Sequence, residues 1–241
     1  MKKLFLFAAV MFSSILFSAC SEDDNKESQT SQKLLKQIEE ISADKTIYYD
    51  FSYDDQQRLA KVIVDGDICY SNGDFTYTYT DNSVGVKFNS SCGDEYSYDA
   101  AFALDHNGYV TEFDINGKIN WRYEYENGYV SKKQSTSVVS PLFWTYRWEN
   151  GNLMEQRNSY SNSTTYTYTD KPNKLNINLF DAKFGLGIFV HVGFLATNFK
   201  GSIPSNYPAS ADNSNIYYEY DDEGYPTQIV GPNANYILTY Y

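Results

Sequence analysis

Polar and apolar residues alternate with a period of two along much of this chain. Aromatic side chains fall at Phe75, Tyr77 and Tyr79, and threonines occupy the positions between them. Strict alternation of this kind indicates β-strands with one buried and one solvated face. We therefore expect an all-β fold in which the aromatic face of the strands is turned inward.

The alternating segments recur as a repeat of two strands. Each copy has an aromatic strand, a turn with Asp, Asn or Gly, and a second strand that often opens with Leu, Val or Pro. Copies lie at Tyr49–Val64, Tyr96–Phe113, Trp121–Gln134, Trp144–Arg157 and Ile216–Val230, with variants at Phe75–Phe88 and Thr165–Leu179. Consecutive two-strand units of this kind predict an antiparallel up-and-down meander.

Asn-Gly pairs are the strongest turn signal in the chain, because both central residues of a tight primed hairpin turn need positive φ. They occur at 72–73, 107–108, 116–117, 127–128 and 150–151. We expect tight hairpins at these positions.

The first element has two interpretations. Ser31–Ile41 has apolar residues at helical spacing, but Lys33–Ile38 aligns with Arg58–Ile63, where the repeat has its second strand. We therefore prefer a strand, with a helix as the alternative. The meander then has about 15–17 strands, and accumulated twist should curl it or close it into a barrel.

The N-terminal residues 1–19 form a signal peptide rather than part of the fold, with Lys2 and Lys3 preceding the apolar run Leu4–Phe17. Phe17–Cys20, "FSAC", resembles the lipobox of bacterial lipoproteins, with Phe17 in place of the usual Leu. This resemblance implies cleavage before Cys20 and lipidation of its thiol. The alternative is an ordinary secretory signal with a chance cysteine.

A short acidic run, Ser21–Asn25, follows the predicted anchor. It is similar to the acidic tag of Bacteroidetes lipoproteins that are exported to the outer face of the outer membrane, although a solvated acidic linker has the same composition. We interpret residues 20–32 as the lipidated cysteine and a flexible tether, and residues 33–241 as a single β domain.

The net charge excludes some partners. It is −12, and it becomes −14 when residues 1–19, with two lysines and no acid, are removed. We therefore expect no binding to nucleic acid or to anionic lipid headgroups, both of which are polyanions. Cys69 and Cys92 can form a disulfide outside the cytoplasm, worth roughly 3 kcal/mol for a loop of this size. The alternative is two buried thiols.

The repeat units resemble the tyrosine–aspartate (YD, Rhs-type) repeats of secreted bacterial shell proteins. Together with the lipobox and acidic tag, they look like uncharacterised Bacteroidetes lipoprotein families described as having a porin-like β fold. The resemblance implies the fold but no activity and no catalytic residues. Insertion of the barrel itself in the membrane is disfavoured, because the strands are short for a bilayer, their apolar face is rich in tyrosine, and a lipid anchor would be redundant.

Residues 181–214 do not fit the repeat. Leu186–Phe199 is apolar on all sides and is either a buried plug or one more strand, and Ile203–Ser210 is expected to be a long loop. We expect this segment to cap the barrel mouth and to mark the best place for a pocket.

The chain offers few groups for catalysis. His106 lies in a predicted turn and His191 in the apolar insertion, and no pairing of histidines suggests zinc, so no metal or other cofactor is expected. The acids are expected mostly in turns, where aspartate bonds to nearby N–H groups. These are Asp54, Asp55, Asp99, Asp105, Asp170, Asp221, Asp222 and Glu223.

Four aromatic residues are the best ligand contacts in the repeat, and His191 is a further candidate. Trp121, Trp144, Tyr146 and Trp148 could stack on sugars, although the repeat favours their face as the core. We predict a lipid-anchored, surface-exposed outer-membrane protein that binds a glycan or protein ligand without catalysis. The alternatives are a glycan hydrolase with two carboxylates in the barrel interior, or a purely structural component of the envelope.

Overall fold

A computed structural model describes residues 32–66, 72–137, 141–175 and 200–241, which form 17 β-strands and one 3₁₀ turn at Asp94–Tyr96. The first nine strands are β1 (Leu35–Ile41), β2 (Thr46–Tyr53), β3 (Leu59–Asp65), β4 (Gly73–Tyr79), β5 (Ser83–Ser90), β6 (Tyr98–Leu104), β7 (Val110–Ile115), β8 (Lys118–Glu126) and β9 (Tyr129–Ser135). The others are β10 (Phe143–Glu149), β11 (Asn152–Asn158), β12 (Ser163–Pro172), β13 (Asn206–Ala211), β14 (Ser214–Asn215), β15 (Tyr217–Tyr220), β16 (Pro226–Val230) and β17 (Asn235–Tyr240). No helix in these ranges is long and apolar enough to cross a membrane.

The strands follow one another around a nearly closed antiparallel barrel. β1 pairs with β2 on one side and with β17 on the other, so the first and last strands are neighbours. Past β14 the ladder continues through a 2.9 Å bond from the Ile216 N–H to the Ala209 carbonyl. The predicted all-β meander is confirmed, and the first element is a strand rather than a helix.

The core lies on one face of the strands, which we call the core face, and the opposite side is the outer face. Phe75 and Tyr77 are buried, whereas Thr78 between Tyr77 and Tyr79 is exposed. Cross-strand aromatic pairs fill the interior. Phe75 stacks on Phe88 with ring centroids 4.4 Å apart. The aromatic face is therefore the buried face, as the alternation predicts.

Three of the five Asn-Gly pairs form the tight turns expected of them. Both residues have positive φ at 116–117, 127–128 and 150–151. At 107–108 only Gly108 does, because the pair lies inside a five-residue turn from Asp105 to Tyr109. At 72–73 the prediction is wrong, since Gly73 already begins β4.

The expected loop at Ile203–Ser210 is also wrong in part, because Asn206–Ala211 is β13. Pro208 lacks an N–H, yet the strand accommodates it where the register against β12 shifts between Thr167 and Tyr168. Tyr207, beside it, is fully buried and anchors the strand.

Several predictions concern residues outside the described ranges. These are the signal peptide 1–19, the anchor Cys20, nearly all of the tether, Cys69, His191 and the apolar part of the insertion up to residue 199. Cys92 takes part in a disulfide, but pairing with Cys69 stays a prediction.

Candidate binding site on the core face

Two of the predicted ligand contacts come together on the core face of β8–β10. Trp121 and Trp144 lie two strands apart, and their ring centroids are 5.2 Å apart with an edge-to-face angle of 64°. Lys133 of β9 stands opposite both Tyr123 and Trp144 in the ladders and so faces the same side. Its Nζ lies 4.5 Å from the Trp121 ring centroid and 5.6 Å from that of Trp144.

This cluster is more exposed than the centre of the core face. Trp121, Lys133 and Trp144 are half-buried, whereas core-face residues in the middle of β2 to β5, such as Tyr49 and Val62, are almost completely buried. Two indole rings and an ammonium group form a surface that suits a sugar, since ring faces stack on its apolar side and the cation pairs with its oxygens. We call Trp121, Lys133 and Trp144 the indole–lysine cluster.

The other two predicted contacts lie along the same strand, β10, but Trp148 has a structural role. Its Nε1–H donates to the Val130 carbonyl at 2.8 Å, and its ring stacks on Tyr129 with centroids 4.9 Å apart. Tyr146, between Trp144 and Trp148, is half-buried and packs against the core, as Trp121 also does. Trp148 therefore has a structural role at one end of β10, whereas Trp144, at the other end, belongs to the indole–lysine cluster.

The bond made by Trp148 belongs to a device that recurs around the barrel. An aromatic residue in the second half of a strand donates to the carbonyl of a residue at or near the start of the strand before it. The tyrosine examples, all at 2.7–2.8 Å, are Tyr53 to Leu35, Tyr79 to Leu59, Tyr168 to Leu153 and Tyr240 to Pro226. These bonds account for the late aromatic residue of the repeat. They do not account for the side chain that opens its second strand, because the acceptor is a backbone carbonyl.

The turn acids are also structural where the repeat has five-residue turns. Asp54, Asp105 and Asp221 each accept bonds from the N–H groups two and four residues later. The N–H of Tyr109, together with that of Asn107, holds the pKa of the Asp105 carboxyl below its ordinary value. His106 lies in this turn, and its side chain is exposed.

Two of the acids assigned to turns lie in strands instead. Asp99 is the second residue of β6, and Asp170 lies near the end of β12. Both are exposed on the barrel surface, so neither adds to the core face.

Residues 200–205 of the insertion run across one end of the barrel. The Gly201 carbonyl accepts the Val130 N–H, and the Ser205 N–H donates to the Gly151 carbonyl, each at 2.9 Å. Lys200 donates from Nζ to the Asn107 carbonyl at 2.8 Å. Residues 200–205 thus join the β6–β7, β8–β9 and β10–β11 hairpins, at the end of the barrel where Trp148 lies.

Sequence reasoning missed one group of chemical interest, Glu40. It is 5% exposed, on the core face of β1, and it accepts a 3.1 Å bond from the Tyr49 hydroxyl. Burial raises the pKa of its carboxyl to about 7. Residues two apart in a strand face the same side, so the spacing of Glu40 from the apolar Ile38 could have predicted that Glu40 faces the core.

Glu40 is the only buried acid in the described ranges. A glycosidase of the usual kind needs two carboxyl groups within about 5–10 Å. No group of three or more His, Cys, Asp or Glu side chains in the described ranges could hold a metal ion.

Comparison with known proteins adds information on the fold. No protein-family model and no curated protein matches the chain. A porin-like protein from Bacteroides uniformis is 13% identical and has a TM-score of 0.64 over 86% of this chain and 98% of its own. A porin-like protein from Bacteroides vulgatus is 14% identical, with a TM-score of 0.57 over 87% of this chain and 99% of its own. The chain therefore shares its fold with porin-like proteins of Bacteroides.

Proposed function

We propose that this chain is an outer-membrane lipoprotein, anchored through Cys20 and exposed at the cell surface, whose barrel binds a glycan without catalysing a reaction. The indole–lysine cluster is the proposed contact surface. The observation that carries the proposal is how side chains are distributed between the two faces of the barrel wall. Aromatic residues lie on the core face, and ion pairs lie on the outer face.

The outer face of β7–β11 supports a barrel that stands in water. Three of its ion pairs are Arg122–Glu112 at 3.0 Å, Lys132–Glu124 at 3.1 Å and Arg157–Glu155 at 2.9 Å. Charged residues that face lipid cost up to about 2–4 kcal/mol each near the middle of a bilayer. A covalent lipid is then what would hold the protein at the membrane.

Removing the anchor should release the protein. We expect a chain whose residues 1–20 are replaced by a secretory signal peptide without a lipobox to move from the membrane fraction to the soluble fraction, as measured by fractionation and immunoblotting. The full chain, processed in parallel, should remain with the membrane and be cleaved by protease added to intact cells. A released form that stays in the washed membrane fraction would show that the barrel itself is inserted.

The ligand site is tested by binding to a glycan array, using the chain from residue 26 onward. We expect Trp121→Ala and Trp144→Ala each to weaken binding by about tenfold or more, because truncating an interface tryptophan typically costs well over 1 kcal/mol. Affinity for the bound glycan would be measured by calorimetry.

Trp148→Phe is the matched control. It removes the bond to Val130 but keeps a ring against Tyr129, so it should lower stability by about 1 kcal/mol and leave affinity unchanged. Absence of any glycan binding, or equal loss in all three variants, would refute the proposed site.

A further inference from the structure

The outer face of the barrel carries apolar side chains on β17, β2 and β3, on both sides of Glu39 of β1. Ile237 stands opposite Glu39 in one ladder, and Tyr48 stands opposite Glu39 in the next. Ile63 lies one step further along, opposite Asp50. The relative exposure of these side chains is 45% for Ile63 and 39% for both Tyr48 and Ile237.

Carboxylates surround this apolar stripe. Glu39, Asp50 and Asp65 all lie on the outer face and make no ion pair within the described ranges. Glu39 accepts a bond from the Tyr48 hydroxyl at 3.3 Å, and Asp50 accepts one from the Gln37 amide at 2.7 Å, so both are oriented without being neutralised. We call Glu39, Tyr48, Asp50, Ile63, Asp65 and Ile237 the acidic face.

The contrast with the opposite part of the outer face makes the acidic face distinctive. On β7–β11, acids such as Glu112, Glu124 and Glu155 are paired with Arg or Lys at 2.9–3.1 Å. Two lysines lie near the acidic face and have other neighbours: Lys61 of β3 lies 3.6 Å from Asp74, and the Nζ of Lys36 on β1 lies 5.8 Å from the Tyr241 ring centroid. Exposed acids without an ion pair in the described ranges also lie on other strands, as Asp99 of β6 and Glu219 of β15 do. At the acidic face, three carboxylates that lack an ion pair in those ranges lie around an apolar stripe.

We propose that the acidic face docks a protein partner whose own surface presents lysine or arginine side chains around an apolar centre. An apolar centre with a charged rim is the usual anatomy of a protein interface, and complementary potentials select the partner and speed its association. Nucleic acid, anionic lipid and a second acidic face would all be repelled. This surface is separate from the indole–lysine cluster, so it does not depend on the proposed glycan site.

The test is photo-crosslinking with the full chain in the cells that produce it. A benzophenone amino acid at position 48 is compared with one at position 119, because Tyr48 and Ile119 have nearly equal relative exposure, 39% and 40%, on different parts of the outer face. We expect a discrete adduct from position 48 and an adduct yield at least about tenfold lower from position 119, with the crosslinked peptide of the partner rich in Lys or Arg.

Charge reversal completes the test. Asp50→Lys with Asp65→Lys should abolish the adduct at position 48, whereas the charge-matched control Glu112→Lys with Glu124→Lys should keep it, since exposed ion pairs add little to stability. Thermal unfolding of both double variants would show that they fold. The proposal is overturned by equal or absent adducts at both positions, by an adduct with a second copy of the chain or a non-basic surface, or by an adduct that survives reversal of Asp50 and Asp65.

Discussion

Replacing Gly73 with alanine is expected to lower the free energy of unfolding by about 3–5 kcal/mol. Gly73 has a φ of +149°, which residues with a Cβ rarely adopt. An added Cβ would lie 2.1 Å from the carbonyl oxygen of Asn89 on β5. Because that oxygen belongs to the backbone, the β4–β5 ladder itself would have to shift. Urea denaturation followed by tyrosine fluorescence measures the loss.

Gly108→Ala is the matched control for this prediction. Gly108 also has positive φ, +80°, but nothing lies within 4 Å of the position of an added Cβ. It should lose only about 1 kcal/mol, from backbone strain alone. If the two variants lose the same amount, close packing of β4 on β5 does not explain why position 73 is glycine.

Replacing Glu40 with glutamine is expected to stabilise the protein by about 3 kcal/mol above pH 8 and to have little effect at pH 4. Burial raises the pKa of the folded-state carboxyl from 4.5 to about 7, and each tenfold change in proton affinity is worth about 1.4 kcal/mol. The folded state thus binds the proton more tightly than the unfolded chain. Wild-type stability therefore falls as the pH rises from about 4.5 through about 7.

Glutamine does not titrate, and its side-chain oxygen can still accept a hydrogen bond from the Tyr49 hydroxyl. The difference between the two proteins should accordingly grow across that pH interval, as measured by urea denaturation at pH 4, 6 and 8.5. Glu39→Gln, on the outer face of the same strand, should change stability by less than about 0.5 kcal/mol. A Glu40→Gln variant that is less stable than wild type at pH 8.5 would contradict a buried, ionisable carboxyl.

Local patterns were sufficient to predict much of this fold. Period-two alternation and turn residues report on neighbours in the chain, so they identify strands such as β4 and hairpins such as Asn127-Gly128. Where a turn depended on more than its two central residues, the prediction was less accurate. The five-residue turn at Asp105–Tyr109 is held by an aspartate two residues before Asn107, and β13 keeps Pro208 only because β12 supplies a matching irregularity.

The residues of the candidate site could be predicted from the sequence, but their positions relative to one another could not. Trp121, Trp144, Tyr146 and Trp148 look equivalent in the repeat, each an aromatic residue on the inward side of a strand. The structure separates them because Trp148 donates to Val130, whereas Trp121 and Trp144 meet across β9 with Lys133 beside them. That difference depends on register, which sequence alternation alone does not specify.

Strand periodicity and turn chemistry are short-range properties, so they predict a meander of aromatic strands without knowledge of the tertiary structure. Three features emerge only in the folded barrel: β1 meets β17, Glu40 is buried, and Glu112 and Glu124 have cationic partners whereas Glu39 and Asp50 have none in the described ranges. Each of these outcomes joins residues from strands far apart in the chain. The free energy of such contacts depends on strand register and barrel closure, and no local segment contains that information.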